Sequence, residues 1–256
     1  MELGGGELFL GELTREEALT LARARPPERG ASPGSAPSGP TLKASASRPS
    51  SMDRSDSAGP AGPDLPVLPG TYGELVEVAL SCTRCRLSET RTKVVFSDGA
   101  ENARLVVVGE APGANEDATG LPFVGAAGRF LDLLLSCVDL SRKDTVYICN
   151  VLKCRPPGNR DPLPDEIEAC SPFLTRQLEL ISPQVLLAVG TFAAQALTGL
   201  QRPLGKLRGD VHSYQGIPLV VTYHPAALLR NSGWTRAFWD DLQLLRHVMD
   251  GAQPHS

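Results

Sequence analysis

Short runs rich in β-branched residues alternate with helical patterns from residue 104 onward, and this alternation limits the fold more than any other feature. The runs cover residues 104–110, 146–153, 184–190 and 218–224, and each has the length and composition of a strand. Helical patterns follow at residues 125–138, 165–181, 191–198 and 235–250. This order predicts a three-layer α/β/α sandwich, in which helices cover both faces of a central, mainly parallel four-stranded sheet.

The last helical pattern separates apolar from charged positions. Its apolar side chains recur at the spacing of a core-facing helix: Phe238, Leu242, Leu245 and Met249. We expect the charged residues to occupy the other face of the helix: Asp240, Asp241 and Arg246.

The composition divides the chain into three segments. Residues 1–25 contain an amphipathic pattern that predicts a short N-terminal helix, either solvated or acting as a docking peptide for a partner protein. Residues 26–69 are dominated by Pro, Ala, Ser and Gly, which bury too little apolar area to offset ordering entropy, so we predict a disordered linker. Residues 70–256 hold the alternating pattern and are expected to form one domain.

Charge and hydropathy narrow the class of protein. A net charge of −4 argues against a uniformly basic coat for nucleic acid, although a small basic groove fits within that total. The sequence has no run of about 18 apolar residues and no basic, apolar N-terminal signal. We therefore expect a cytoplasmic protein that does not enter a membrane, and we also expect it to be a monomer.

Four of the six cysteines have the spacing of a metal site. Cys82 and Cys85 form a C-x2-C pair, and Cys154 and Cys170 follow as a second pair. Four thiolates complete either a tetrahedral zinc site or a four-iron cluster, and this spacing does not separate the two. The remaining two lie in apolar segments and are expected to pack in the core: Cys137 and Cys149.

Polar residues stand at the ends of three predicted strands. Glu110, Asn150 and His224 each lie at or near such an end. In open parallel sheets ligands bind outside the carboxyl ends of the strands. The pattern therefore predicts that these three residues meet in one cleft.

The loop after the first run carries an unusual density of glycine and acidic residues. It begins with Gly-Glu-Ala-Pro-Gly at 109–113, where the glycines and Pro112 favour a sharp turn that presents Glu110. Glu116, Asp117 and Phe123 follow before the next helix. We expect Asp117 to cap a helix or a loop.

Three segments together are specific for a known family. They read G-E-A-P-G-A-N-E-D-A-T-G-L-P-F-V-G, I-C-N-V-L-K-C-R-P-P and Y-H-P-A-A-L-L-R. With the four cysteines, they resemble the type-4 uracil-DNA glycosylases, over about residues 72–249. The resemblance implies the same α/β/α sandwich and an enzyme of base excision repair that releases uracil from single- or double-stranded DNA and leaves an abasic site. It also implies a [4Fe–4S] cluster on Cys82, Cys85, Cys154 and Cys170.

The resemblance further assigns roles in a uracil pocket. Phe123 is expected to stack on a base flipped out of the duplex. Asn150 presents a carbonyl to uracil N3–H and an amide to O4, a pattern that cytosine mismatches at both edges. His224 is expected to be a neutral imidazole that donates to O2, with Pro225 beginning a short helix after it.

The acidic roles are less distinct. Glu110 and Glu116 are both expected to be catalytic, with Glu116 also lining the base pocket, where it orders water or excludes a 5-methyl group. Gly109 and Ala111 are expected to contact the substrate. Relatives in the wider superfamily often carry an aspartate where Ala111 stands, so the simplest water-activating group is missing here.

Two segments are expected to contact DNA. Gly-Lys-Leu-Arg-Gly at 205–209 resembles a phosphate-binding loop, which makes Lys206 and Arg208 candidate phosphate ligands. In the segment after His224, either Leu228 or Leu229 is expected to act as a wedge that fills the gap left by the flipped base. Arg230, in the same segment, is also expected to contact DNA.

Two other functions fit parts of the sequence. One is a non-catalytic nucleic-acid-binding module that docks to a replication or repair protein through residues 1–25. The other is a nucleotide hydrolase with a phosphate-cradling Gly-rich loop, but that loop lacks the G-K-[ST] ending such sites require.

Overall fold

The computed structural model describes residues 68–251. The predicted N-terminal helix and linker lie outside these residues, apart from the last two linker positions. Within them, the predicted parallel strands are present: β2 (Leu105–Gly109), β3 (Val146–Asn150), β4 (Val185–Val189) and β6 (Ile217–Thr222). All residues of β2, β3 and β4 are buried, which is why these segments read as continuous apolar runs.

The sheet formed by the described residues has six strands rather than the predicted four. Two antiparallel strands flank the parallel core: β1 (Asp98–Gly99) and β5 (Val211–Tyr214). The strand order is β1-β3-β2-β4-β6-β5. The sequence pattern missed both edges because β1 has only two residues and β5 alternates between exposed and partly buried positions.

Helices cover both faces of the sheet. The four predicted helices are α3 (Ala126–Ser136), α4 (Pro164–Ile181), α5 (Thr191–Thr198) and α7 (Thr235–Gly251). Three further helices accompany them: α1 (Tyr72–Leu80), α2 (Ala114–Thr119) and α6 (Pro225–Arg230). As predicted, Pro225 begins α6. No helix in residues 68–251 is both long and apolar enough to cross a bilayer.

Two apolar cores separate the three layers. Alternate residues of β2 point to opposite sides, so Val107 packs with α3, α6 and α7, whereas Val106 packs with α4 and α5. The predicted sandwich is therefore confirmed, with Cys149 buried on the side of α4. Cys137 is also buried.

One residue of α7 departs from the predicted pattern. Phe238, Leu242, Leu245 and Met249 are buried as expected, but Asp241 is also buried. Its carboxylate accepts a hydrogen bond of 2.7 Å from Arg208, which reaches it from the loop before β5. The expectation that Asp241 is solvated was wrong because a cation from elsewhere in the chain satisfies it.

Candidate active site

A cleft of about 410 Å³ opens at the carboxyl ends of the parallel strands, within the usual size of a small-molecule pocket. Glu110, Asn150 and His224 all line it, together with Phe123 and Glu116. The convergence expected from the strand ends is therefore present.

Asn150 lines the cleft, and Gly109 is its neighbour on the adjoining strand. They are register partners on β2 and β3, so backbone hydrogen bonding sets their separation. A methyl group at position 109 would overlap Oδ1 of Asn150 and lie 2.5 Å from Cζ of Phe123. Glycine is therefore required at this position by space rather than by backbone angles.

Asn150 holds an unsatisfied acceptor. Its side chain is buried, with the residue 2% exposed, and Oδ1 has no hydrogen-bond partner among the described residues. The backbone carbonyl of Asn150 accepts a bond of 2.7 Å from Nζ of Lys153, which helps to fix the end of β3. A buried acceptor without a partner costs about 1–3 kcal/mol, so the side-chain carbonyl of Asn150 points to a ligand that donates to Oδ1.

Phe123 has an uncommon backbone conformation, and an arginine distant in sequence stabilises it in the cleft. Its φ is +53°, an uncommon conformation for a bulky residue. Arg142 donates to the carbonyls of Pro122 and Phe123 at 2.6 and 2.7 Å. The Phe123 ring stacks on His224, with centroids 5.5 Å apart and planes inclined by 26°. No sequence motif connects Arg142 with this site, so sequence reasoning missed it.

His224 has a defined tautomer. It is the N-cap of α6, and Nδ1 accepts a hydrogen bond of 3.1 Å from the backbone N–H of Ala226. Desolvation, with a smaller effect of the Arg230 charge, lowers the pKa of His224 to about 4. At neutral pH the ring is therefore uncharged and carries its proton on Nε2, where it is a hydrogen-bond donor.

Glu110 differs from Glu116 in its surroundings. Desolvation raises the pKa of Glu110 to about 7, and the negative charge of Asp161 adds to this increase. Asp161 lines the same cleft. It escaped the sequence reasoning because it lies in a loop outside the recognised motifs.

Glu116 organises the loop that carries Phe123. One carboxylate oxygen accepts from the backbone N–H of Gly113 at 3.1 Å, and the other accepts from Val124 and Gly125 at 2.9 Å each. The first bond joins the Glu116 side chain, in the first turn of α2, to the backbone N–H of the Gly113 N-cap. Asp117 caps a second loop, as expected, because its Oδ1 accepts from the backbone N–H groups of residues 92 and 93.

Comparisons with known proteins agree with this geometry. Residues 96–243 match the family model of the uracil DNA glycosylase superfamily. A type-4 uracil-DNA glycosylase of Archaeoglobus fulgidus is 41% identical over 189 residues, which cover 71% of this chain and 94% of that protein. The type-4 enzyme of Thermotoga maritima is 46% identical over 63% of this chain and 86% of its own length. The one of Sulfurisphaera tokodaii is 39% identical over 68% of this chain and 83% of its own length. The chain belongs to the type-4 uracil-DNA glycosylases.

The geometry of this glycosylase revises two expected DNA contacts. Leu228 is 2% exposed and packs in the core with α3 and α7, so it is not available as a wedge. Arg208 turns inward: it pairs with Asp241, donates to the carbonyl of Ala237 and lies 4.3 Å from the centroid of the Tyr223 ring. Its guanidinium is engaged within the fold, and its side chain is only 13% exposed.

Lys206 and Arg230 have the exposure that contact with DNA requires. Lys206 lies in a short 3-10 turn, Leu204–Lys206, and Arg230 lies at the end of α6, where it also lines the cleft. Both remain candidate phosphate contacts of the glycosylase.

The four cysteines of the predicted metal site line one small chamber beside α1 and α4. Cys154 and Cys170 are buried, whereas Cys82 and Cys85 are partly exposed. Within residues 68–251, no three His, Cys, Asp or Glu side chains are grouped closely enough to hold a single metal ion. The thiols of the glycosylase surround a common space without converging on one point.

Two donors point at sulfur atoms of this chamber. Arg91 donates to Sγ of Cys154 at 3.2 Å, and the backbone N–H of Lys153 donates to Sγ of Cys170 at 3.3 Å. Such donors stabilise thiolate ligands. The donor set, four sulfurs of which two have N–H partners, is chemically suited to an iron–sulfur cluster.

Proposed function

We propose that this chain hydrolyses the N-glycosidic bond of deoxyuridine in DNA, releasing uracil and leaving an abasic site for base excision repair. The observation that carries the proposal is Oδ1 of Asn150, which is buried and has no hydrogen-bond partner among residues 68–251. This atom lies beside Gly109 and the Phe123 ring. Uracil supplies the donor that this carbonyl lacks, because N3 carries a hydrogen.

Recognition uses three groups. A uracil flipped out of the duplex, at a cost of a few kcal/mol, stacks on Phe123. Asn150 accepts from N3–H through Oδ1 and donates to O4 through its amide. Cytosine presents an acceptor at N3 and an amine at C4, so it leaves both Asn150 groups unpaired in a closed site.

The chemical step separates charge. As the glycosidic bond breaks, negative charge develops on the uracil ring and positive charge on the deoxyribose. The Nε2–H of His224 donates to O2 and stabilises the uracil anion, and the low pKa of His224 keeps the ring neutral for this task. The Glu110 carboxylate orients the attacking water and stabilises the positive sugar.

Glu116 then has a positioning role. Its three hydrogen bonds to backbone N–H groups fix the loop between α2 and α3, which places Phe123. We therefore assign catalysis to Glu110 and His224, with Glu116 supporting the base pocket. Ala111 lines the cleft and stays a candidate substrate contact.

The test is uracil release from oligonucleotides. Single- and double-stranded substrates that contain one uracil are incubated with the protein, treated with alkali and separated by length, with thymine and cytosine versions as controls. We expect cleavage only at uracil, and a loss in kcat of about a hundred- to a thousand-fold in His224→Ala, which lacks one donor to a developing anion. Absence of uracil-dependent cleavage by the wild-type protein, with DNA binding retained, would favour the non-catalytic module instead.

We also propose that Cys82, Cys85, Cys154 and Cys170 bind a [4Fe–4S] cluster. The proposal is supported by the shared chamber, by the N–H donors to sulfur and by membership of the type-4 family. When bound, the cluster supplies structural support to the segment between Cys154 and Cys170 rather than chemistry on the substrate. We propose uracil-containing DNA as the partner and the cytoplasm as the location, and a docking role for residues 1–25 stays a prediction.

A further inference from the structure

Trp234 exposes an aromatic surface that the fold does not bury. Among the large hydrophobic side chains exposed in residues 68–251, it is the only aromatic one, with 40% of its surface accessible. The other tryptophan of the chain, Trp239, packs against the core. An exposed tryptophan on the turn after α6, a helix that lines the cleft through Ala226 and Arg230, calls for a specific explanation.

The Trp234 ring is supported from below. It lies on the Tyr223 ring with a centroid distance of 4.8 Å and an interplanar angle of 7°. The guanidinium of Arg208 contacts the same Tyr223 ring, and the buried Asp241 holds that guanidinium. Trp234, Tyr223, Arg208 and Asp241 thus form one continuous arrangement, anchored in the interior at Asp241 and open to solvent at Trp234. We call it the aromatic stack.

The backbone around Trp234 is also fixed. The side chain of Asn231 accepts from the N–H of Gly233 at 3.1 Å, while its backbone carbonyl accepts from the N–H of Trp234 at 3.2 Å. These bonds form the 3-10 turn Ser232–Trp234. The ring is therefore held in place before any ligand binds, which lowers the entropic cost of binding.

The aromatic stack adjoins the active site. Tyr223 immediately precedes His224, and α6 connects the cleft to the turn that carries Trp234. Two exposed cations lie on the flanking segments: Arg230, which lines the cleft, and Lys206, two residues before Arg208. An exposed aromatic ring with cations on the adjoining segments matches the chemistry of a nucleic-acid strand, whose bases stack while its phosphates pair with the cations.

We propose that Trp234 stacks on a nucleobase of the DNA strand outside the uracil cleft. The inference rests on the proposed function, because it assumes that DNA is the substrate, but it concerns a base that is not excised. Such a contact is independent of sequence because every base presents a π face. It also supplies an aromatic DNA contact on the segment after His224, where Leu228 is buried.

Fluorescence of a single tryptophan tests the proposal directly. Trp239→Phe leaves Trp234 as the only tryptophan, and this variant is titrated with a fluorophore-labelled single-stranded oligonucleotide that lacks uracil, while anisotropy reports binding. We expect Trp234 emission to be quenched in step with the rise in anisotropy. We also expect Trp234→Ala to raise Kd by about five-fold or more, whereas Trp234→Phe retains most of the affinity.

Two results would overturn the proposal. One is saturated binding by anisotropy with unchanged Trp234 emission, and the other is an unchanged Kd in Trp234→Ala. Uracil release by the same preparations is measured in parallel, so the two proposals fail separately: wild-type cleavage without quenching removes the stacking contact and leaves the glycosylase activity intact. If Trp234→Ala folds poorly by circular dichroism, the quenching of the Trp239→Phe variant decides the question alone.

Discussion

Gly109 shows how a missing side chain shapes the base pocket. The space that its Cβ would occupy adjoins both Oδ1 of Asn150 and the Phe123 ring. We expect Gly109→Ala to displace the Asn150 amide or the Phe123 ring, because its Cβ would overlap the first and lie 2.5 Å from the second, and to reduce kcat/KM on the order of a hundred-fold by misplacing the base. Initial rates on a uracil oligonucleotide measure this effect.

A glycine without neighbours serves as the control. A Cβ at Gly73, which is exposed on α1, would meet no heavy atom within 4 Å, and its φ is not positive. We expect Gly73→Ala to retain wild-type activity. Equal activity in the two alanine variants would show that the space beside Asn150 is not where the base binds.

The ionisation of Glu110 predicts an acidic limb in the pH profile. Its pKa is raised to about 7, so the catalytic carboxylate is increasingly protonated below that pH. We expect kcat/KM to fall about ten-fold per pH unit below the pKa of Glu110. His224, with a pKa of about 4, stays neutral through the same range. Steady-state rates between about pH 5 and about pH 9, the range over which such groups titrate, measure the limb.

Asp161 supplies a control for this assignment. Its negative charge contributes to the raised pKa of Glu110, so Asp161→Asn is expected to move the limb toward lower pH. Glu110→Gln is expected to remove the limb along with most of the activity. A limb that stays in place in both variants would assign it to another group.

At the scale of elements, Arg142 ties β1 and α3 to the loop that carries Phe123. It donates to Asp98 of β1 and to Asp132 of α3, at 3.0 Å each, as well as to the carbonyl of Phe123. We expect Arg142→Met to lower the free energy of unfolding by about 2–3 kcal/mol, because several charge-assisted hydrogen bonds are lost. We also expect weaker uracil binding, because Phe123 loses its support. Urea unfolding and KM measure the two effects.

Arg246 provides the matched comparison. It pairs with Asp250 on the exposed face of α7 at 2.8 Å, and such surface pairs contribute about 0–1 kcal/mol. Arg246→Met should leave stability and KM close to the wild-type values. If both arginine variants behave alike, Arg142 is not the support of Phe123.

The elements also show what the sequence could predict. The four parallel strands were readable because most of their residues are buried on both faces and so form continuous apolar runs. The position of Leu228, by contrast, could not be predicted, because its local sequence is compatible both with a contact to the duplex and with burial in the core. The packing of α6 against α3 buries it. Arg208 and Asp241 likewise meet across 33 positions of sequence, a separation that periodicity does not detect.

The candidate site divides in the same way. The motifs placed Glu110, Phe123, Asn150 and His224 in one cleft, because recognised segments at strand ends meet there. They did not separate Glu110 from Glu116, since that distinction depends on backbone N–H groups that converge only in the folded chain.

At the scale of the whole molecule, the cysteine chamber and the base pocket are connected through Lys153. Its backbone N–H donates to Sγ of Cys170, and its side-chain ammonium donates to the backbone carbonyl of Asn150. We expect Cys170→Ser to lower the iron content and the visible absorbance of the purified protein, to lower its thermal midpoint and to weaken uracil excision. Iron analysis, absorbance and melting of the same sample measure these effects.

Cys137 is the control for the chamber. It is buried but does not line the chamber. Cys137→Ala should keep the full iron content and visible absorbance. Zinc in place of iron in the wild-type protein, or iron that persists in Cys170→Ser, would contradict the cluster assignment.

The register pairing of Gly109 with Asn150 has a consequence for redesign. Both residues sit on adjoining strands, so neither can be moved without shifting hydrogen bonds that run through the centre of the sheet. Libraries that aim to admit a bulkier lesion should therefore leave the strands intact and vary the loop between α2 and α3. There, substitutions can change the aromatic wall of the pocket while the side-chain carbonyl that selects the base stays in place.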